Sequence, residues 1–574
     1  LSLNCEEPLG KGTVVFVKGW PKLACRIFLD LIKMRLLKIQ PVGVAFTPQK
    51  SPTTDGLCRL SFAILTLLML SGHIVFTAPP TSEACMERSP EREDDSKMEV
   101  VVTDPNLEIP DSSGRLLVAF ATGNNRPRFT DASFPGQPIF GLTVDKLIRN
   151  EPIVVDDSAT GFPVGMRIAK LPPGQYKVQA IFMYNRSINL PNAPGNLRSE
   201  VLDVNWPLPP GETLSIPLTE TLTQRPSRER DGYELVEIPS PLLTAFHGRP
   251  MTLRFGVALP LELETIAEID KDLSKSSSPH IPKGLIVHIG GFGQRSTSVL
   301  GLERDSRFVQ ILLDGAGPFG DPYYVDSDNN GPYGQALLEE LIPYVEKTYG
   351  CAGSGKFRFT TGASTGGWVS LALQIFYPDS FNGCWSSCPD GVDFRNFQLI
   401  NIYEDENAYF AQDGSEVPAK RNRNGTVDYS IRHECQLERV LGGGRWELGG
   451  QQWASWNAVY GPKGRDGPVP LWDGETGKIH RQTAEAWKRY DLRLILQDNW
   501  SRLGPRLAGK IHVWVGDKDE YYLNLAVERF QAMTITLTNP NFDGEIIIEP
   551  GKGHTSGWKS AIIRDAMYQR MLGL

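Results

Sequence analysis

Six apolar runs after residue 232 set the tightest limit on what this chain can become. "GLIVHIGGFG", "RFVQILLDG", "FRFTTGAS", "FNGCWSSCPD", "KIHVWVGDKD" and "GEIIIEPGKGH" each read as a buried strand that enters a loop at its C-terminal end. Helical patterns such as "GPYGQALLEELIPYVEKTY" separate several of them. Strands apolar on both faces, alternating with helices, require a mostly parallel, doubly wound sheet. "YELVEIPS" and "MTLRFGVALP" just ahead read as two antiparallel strands on the same sheet. Ligand chemistry in a sheet of this kind collects beyond the carboxyl ends of its strands.

The preceding stretch has a different grammar. Between 98 and 228, runs such as "GRLLVAFAT", "QPIFGLTV" and "GETLSIPLTETL" alternate with turn signals and no long helical pattern intervenes. That spacing predicts a small β-sandwich, closed by the polar boundary "TQRPSRERDG". Residues 1–97 read as an N-terminal extension ending in the charged linker "ERSPEREDDSK". Inside it, Arg59 precedes an uncharged apolar core, and Ser82 and Ala84 suit a cleavage site. Segment 59–84 therefore reads as an export signal, too short for an ordinary membrane span, with an uncleaved anchor as the alternative. Its distance from Leu1 points to a functional start further in, at Met34 for instance. Export places the protein in the periplasm or outside the cell, with the membrane touched only through that segment. Cleavage after Ala84 leaves Cys85, Cys351, Cys384, Cys388 and Cys435, enough for at most two disulfides. A net charge of −8 gives no reason to expect a nucleic-acid partner.

Ser364 stands where the third apolar run turns into a helix, in "GASTGGW". Gly362 and Gly366 let a strand reverse into a helix and leave the serine exposed on the turn. The pentapeptide alone is a weak signal, so its partners decide. A serine hydroxyl needs a base. Of the eight histidines, only His554 lies in a glycine-rich loop just after the last predicted strand. The base in turn needs a carboxylate. Asp519, in "VGDKDEYY", is the first choice, with Asp390 and Asp517 as alternatives. Oxyanion donors are expected from the amides of Thr365 and Phe292, the latter in "GGFG". The order Ser364, Asp519, His554 is that of an α/β-hydrolase.

Together, "GLIVHIGGFG", "GPYGQALLEELIPYVEKTYG", "GASTGGW", "WSSCPDGVDF", "WVGDKDEYYLN" and "PGKGH" resemble the putative-esterase family of α/β-hydrolases, the esterase D and feruloyl-esterase-like group. The resemblance spans 232–574 and is nearest to exported bacterial members with an N-terminal β domain. It implies serine hydrolysis of carboxylic esters, small or polysaccharide-linked, with no cofactor and no metal. The family's nucleophile, acid and base fall on Ser364, Asp519 and His554. A serine peptidase and an inactive glycan-binding protein on the same fold are the alternatives.

Three further features carry less. "GCAGSGKF" imitates a phosphate-binding loop, but it follows a helix and precedes a strand, the reverse of what that loop requires. "DSDNNG" lacks the closing glutamate of a calcium loop and reads as a turn. Residues 395–508, with Trp446, Trp453, Trp456, Trp472, Trp487 and Trp500, are too long for a crossover and read as a cap over the active site. Most of these tryptophans are expected to serve as core.

Overall fold

Nine strands make the first sheet of the computed structural model, which describes residues 97–133, 136–223, 230–261, 282–554 and 557–574. They are β1 (Lys97–Val101), β2 (Gly114–Thr122), β3 (Ile139–Val144), β4 (Ile153–Val155), β5 (Thr160–Phe162), β6 (Gly174–Met183), β7 (Leu197–Ser199), β8 (Leu202–Trp206) and β9 (Thr213–Thr221). The order is β4-β1-β9-β7-β6-β2-β3-β5, with β8 beside β6. β9 works in two halves, the first parallel to β1 and the second antiparallel to β7. Val100, Leu116, Val118, Phe120, Phe140, Val178, Phe182 and Ile216 then close around one core.

A strand shows alternate residues to opposite faces. On the other face of β2, β3 and β6, Leu117, Ala119, Ile139, Ile181 and Met183 are buried too, against Leu437, Val440 and Leu441. This explains why "LLVAFA" does not alternate in polarity: both of its faces are covered.

The second sheet holds β10 (Tyr233–Pro239), β11 (Thr252–Ala258), β12 (Gly284–Ile289), β13 (Phe308–Leu313), β14 (Arg358–Ala363), β15 (Cys384–Ser387), β16 (Ile511–Gly516) and β17 (Glu545–Glu549). Their order is β10-β11-β13-β12-β14-β15-β16-β17. β10 and β11 are antiparallel to each other, β11 is antiparallel to β13, and the remaining pairs are parallel. Each of the six apolar runs is a strand of this sheet. Helices α1 (Ile342–Tyr349), α2 (Thr365–Phe376), α3 (Ile431–Leu441), α4 (Gln452–Tyr460), α5 (Leu492–Leu507), α6 (Asn524–Thr534) and α7 (Ser560–Leu572) accompany it.

The long stretch between β15 and β16 has no separate core of its own. Trp446, Trp453, Trp456, Trp472, Trp487 and Trp500 are buried in the same cluster as Val287, Leu371 and Val513 of the sheet domain. Within it Trp446 stacks on Trp472 at 4.8 Å, and Trp453 meets Trp456 edge-on at 4.7 Å. Helix α3 of this insertion is the element that carries Leu437, Val440 and Leu441 against the β-sandwich. Arg115 Nε donates to the Val440 carbonyl at 2.8 Å, and Asn189 Nδ2 to that of Leu448 at 3.0 Å. The insertion is a wedge joined to both neighbours.

The expected export segment 59–84 lies outside the described residues, as does Cys85. No helix among the described residues is long and apolar enough to cross a membrane. Among the described residues Cys351, Cys384, Cys388 and Cys435 are free thiols. Burial pushes Cys351 and Cys384 up to about 12, which keeps both protonated. "DSDNNG" forms a tight hairpin in which Asp326 and Ser327 pair with Pro332 and Gly331.

Candidate active site

β14 delivers the chain to Ser364, and α2 begins at the next residue. Ser364 sits at φ 60°, ψ −122°, a conformation that costs a side-chain-bearing residue about 1–3 kcal/mol. The surrounding glycines make the reversal possible. A Cβ on Gly362 would lie 2.5 Å from the Gly366 backbone, and one on Gly366 would lie 2.1 Å from the Ile289 carbonyl. The sharp turn therefore needs glycine on both sides of a half-buried serine.

The loop after β12 passes alongside. A Cβ on Gly291 would lie 3.9 Å from Ser364 Cβ. Gly291 donates its amide to Gln294 Oε1 at 3.2 Å, and the Gly293 amide is turned to the Asp321 carboxylate. Between them, the Phe292 amide finds no acceptor among the described residues. The Thr365 amide opens α2 and so has no intrahelical partner. Both expected oxyanion donors are thus amides left without a partner among the described residues, with Phe292 on a loop that borders the serine.

Asp519 and His554 come from the loops after β16 and β17, adjacent parallel strands, and are joined directly. His554 Nδ1 lies 2.8 Å from Asp519 Oδ2. Asp519 is fully buried, and its other oxygen accepts the amide of Tyr521 at 2.9 Å, which fixes the carboxylate plane. Burial alone would favour neutral imidazole, but the bond and charge of Asp519, assisted by Cys388, raise the His554 pKa well above the ordinary histidine value. His554 and Ser364 line one cavity of about 620 Å³, together with Gly291, Phe292 and Asp390.

The two alternative acids have other work. Asp517 Oδ1 accepts the Gly551 amide at 2.6 Å and braces the histidine loop. Asp390 lies on the serine side. Its Oδ2 accepts Tyr323 OH at 2.7 Å, Trp456 Nε1 at 2.9 Å and Thr365 Oγ1 at 3.1 Å, while Oδ1 lies 3.5 Å from Ser364 Oγ. Burial raises the Asp390 pKa against those donors.

Several residues at the site gave no signal in the sequence. Glu520 accepts the His554 amide and an Arg423 bond at 3.1 Å. Arg421, from the insertion, donates to the Asp519 carbonyl at 3.0 Å. Cys388 Sγ donates to the His554 carbonyl at 3.2 Å. Cys388, Asp519 and His554 offer ligand-type atoms within 4.8 Å of one another, a group that could hold a metal ion. A metal there would compete for the His554 nitrogen that Asp519 already engages. The cavity wall draws Gln398, Lys420, Tyr429 and Gln451 from the insertion and Thr130, Asp131, Ala132 and Ser133 from the β-sandwich. None of these belongs to a motif, because their proximity is created by the wedge.

Residues 322–565 match the family model described as Putative esterase. The chain carries an esterase-family domain. That domain contains Ser364, Asp390, Asp519 and His554, and the match supports a carboxylic ester hydrolase. No curated protein matches the sequence. Solved structures similar to the chain include FphF, a fluorophosphonate-binding serine hydrolase of Staphylococcus aureus, at 13% identity over 59% of this chain and 98% of that one, with a TM-score of 0.34. An S-formylglutathione hydrolase from Agrobacterium tumefaciens aligns at 13% identity, over 61% of this chain and 98% of its own, with a TM-score of 0.33. A ferulic acid esterase from Anaeromyces mucronatus aligns at 12% identity, over 58% and 89%, with a TM-score of 0.26.

Proposed function

We propose that the esterase domain works as a serine hydrolase in which Ser364 attacks the ester carbonyl, His554 takes its proton and Asp519 orients and stabilises the imidazolium. The amides of Thr365 and Phe292 hold the oxyanion, worth about 3 kcal/mol each in the transition state. The alcohol leaves with the proton returned by His554, and water, activated by the same base, releases the acyl group from Ser364. The observation that carries this reading is the 2.8 Å Asp519–His554 bond in a cavity shared with a serine held at φ 60°. A raised His554 pKa places the acid limb of activity, where the base is lost to protonation, above the ordinary histidine value. Carbohydrate-linked acyl groups are the proposed substrate class, and export is proposed from residues 59–84 alone. Turnover of p-nitrophenyl acetate by the intact chain and by Ser364→Ala tests the reading. Activity is expected only in the former, and undiminished turnover by the variant would overturn it.

A further inference from the structure

Two glutamines in the cavity wall have hydrogen-bonding atoms left unpaired by the described residues. Gln398 is 3% exposed and Gln451 is 9% exposed, yet Gln398 Oε1 and Gln451 Nε2 have no partner among the described residues. Both side chains line the cavity that holds Ser364 and His554. A buried amide left unpaired is costly, and native proteins rarely keep one without a use for it.

The backbone spends further free energy on the arrangement. Phe397 and Ile400 bond to each other across a tight turn, through Phe397 N to Ile400 O at 2.8 Å and Ile400 N to Phe397 O at 3.2 Å. Gln398 occupies that turn at φ 55°, in the left-handed region that suits glycine. Phe397 is locked beneath it by Trp456, Trp453 and Trp487 at 4.8, 5.7 and 5.5 Å. Gln451 caps the entry to α4 with its carbonyl, which accepts the Ser455 amide at 2.8 Å, so its backbone is held in place too. Desolvated amides on a fixed backbone are how a pocket reads a polar group.

A primary amide offers both an acceptor and donors, and a hydroxyl group can serve either. An alkyl or phenyl ester would leave both glutamines unsatisfied. Gln451 also lines an adjoining cavity of about 650 Å³ that shares Thr130, Asp131 and Phe292 with the first. The room for substrate thus continues past the glutamine toward the β-sandwich. The β-sandwich loop is pinned there by Phe129, buried against α3.

We infer that Gln398 and Gln451, walled by the Thr130–Ser133 loop of the β-sandwich, form a hydroxyl-reading subsite that selects esters of a polyhydroxylated alcohol. The subsite rests on the serine-esterase reading above and adds to it the residues that choose the substrate. The β-sandwich thereby has a place in the site: it closes the far wall.

The test compares three esters on the full chain: p-nitrophenyl acetate, which has no hydroxyl, glyceryl monoacetate, and a monoacetylated methyl xyloside. The readout is the ratio of kcat/KM for each hydroxylated ester to that for p-nitrophenyl acetate. Gln398→Met and Gln451→Met should each lower that ratio by about tenfold, mostly through KM. A fall on both hydroxylated esters assigns recognition to a hydroxyl as such, and a fall confined to the xyloside assigns it to the ring. On the unmodified chain, unacetylated methyl xyloside should inhibit p-nitrophenyl acetate hydrolysis competitively, a measurement that needs no variant to fold. Good turnover of p-nitrophenyl acetate with an unmoved ratio and no inhibition by the xyloside would overturn the subsite alone. Turnover of none of the three esters by the unmodified chain would overturn the esterase reading and the subsite with it.

Discussion

The two halves of the cavity wall are built on different principles. On one side Ser364 and His554 follow β14 and β17, with Asp519, after β16, behind the histidine, each fixed by a loop a few residues from its strand. On the other, Gln398, Gln451 and Thr130–Ser133 arrive from an insertion and from a separate sheet. The chemical side is local to a regular sheet. The recognition side depends on long-range packing, namely Leu437, Val440 and Leu441 of α3 against the outer face of β2, β3 and β6. A fold divided in this way can keep its reaction while its substrate wall changes.

Perturbations should separate the two sides. Ser364→Ala removes the proposed nucleophile and should cut kcat for p-nitrophenyl acetate by about 10⁶-fold, read by steady-state kinetics. Asp519→Asn should cost about 10⁴-fold, because the amide holds the wrong imidazole tautomer. Asp390→Asn, at the serine side, should cost about tenfold at most. Equal losses from the two variants would mean that the acid's work is shared and the division drawn here is wrong.

On the recognition side, Leu437→Ala opens the buried seam between α3 and the β-sandwich. It should lower unfolding free energy by about 2–4 kcal/mol in a urea titration and raise KM for a large ester more than kcat falls. A variant with unchanged stability would show that the seam is not the joint described.

The smallest effect is in the pH profile. The His554 pKa is raised in the folded chain, so kcat/KM should climb with pH and reach half its maximum above the ordinary histidine value of about 6.5. The same shift has the opposite sign for stability. The charged pair with Asp519 contributes fully below about 6.5 and is lost as pH rises through the folded-state value, so stability falls where activity rises. A half-point at or below 6.5 would remove the coupling.

The difference between the two sides also explains what the sequence made legible. Strand runs, the glycines around Ser364 and the loops bearing Asp519 and His554 are written in contiguous residues, because the turn geometry demands them there. The insertion was recognisable as an anomaly of length, and its tryptophans as core. Its role as a wedge was not, since α3 meets β2 across several hundred residues of chain and no periodicity encodes a contact of that range. The uniform polarity of "LLVAFA" was the one local trace of it: a sandwich strand with a solvent face would have alternated. Gln398 was silent for a similar reason, as its left-handed turn is imposed by the aromatic cluster below it.

The central claim is that Ser364 is the activated nucleophile, and covalent labelling tests it without a choice of substrate. The purified chain would be treated with a fluorophosphonate and the adduct mapped by mass spectrometry, with His554→Ala as a parallel sample. The account predicts one adduct, on Ser364, strongly slowed in the His554 variant. A folded chain that takes no label, or takes it elsewhere at the same rate in both samples, would contradict it.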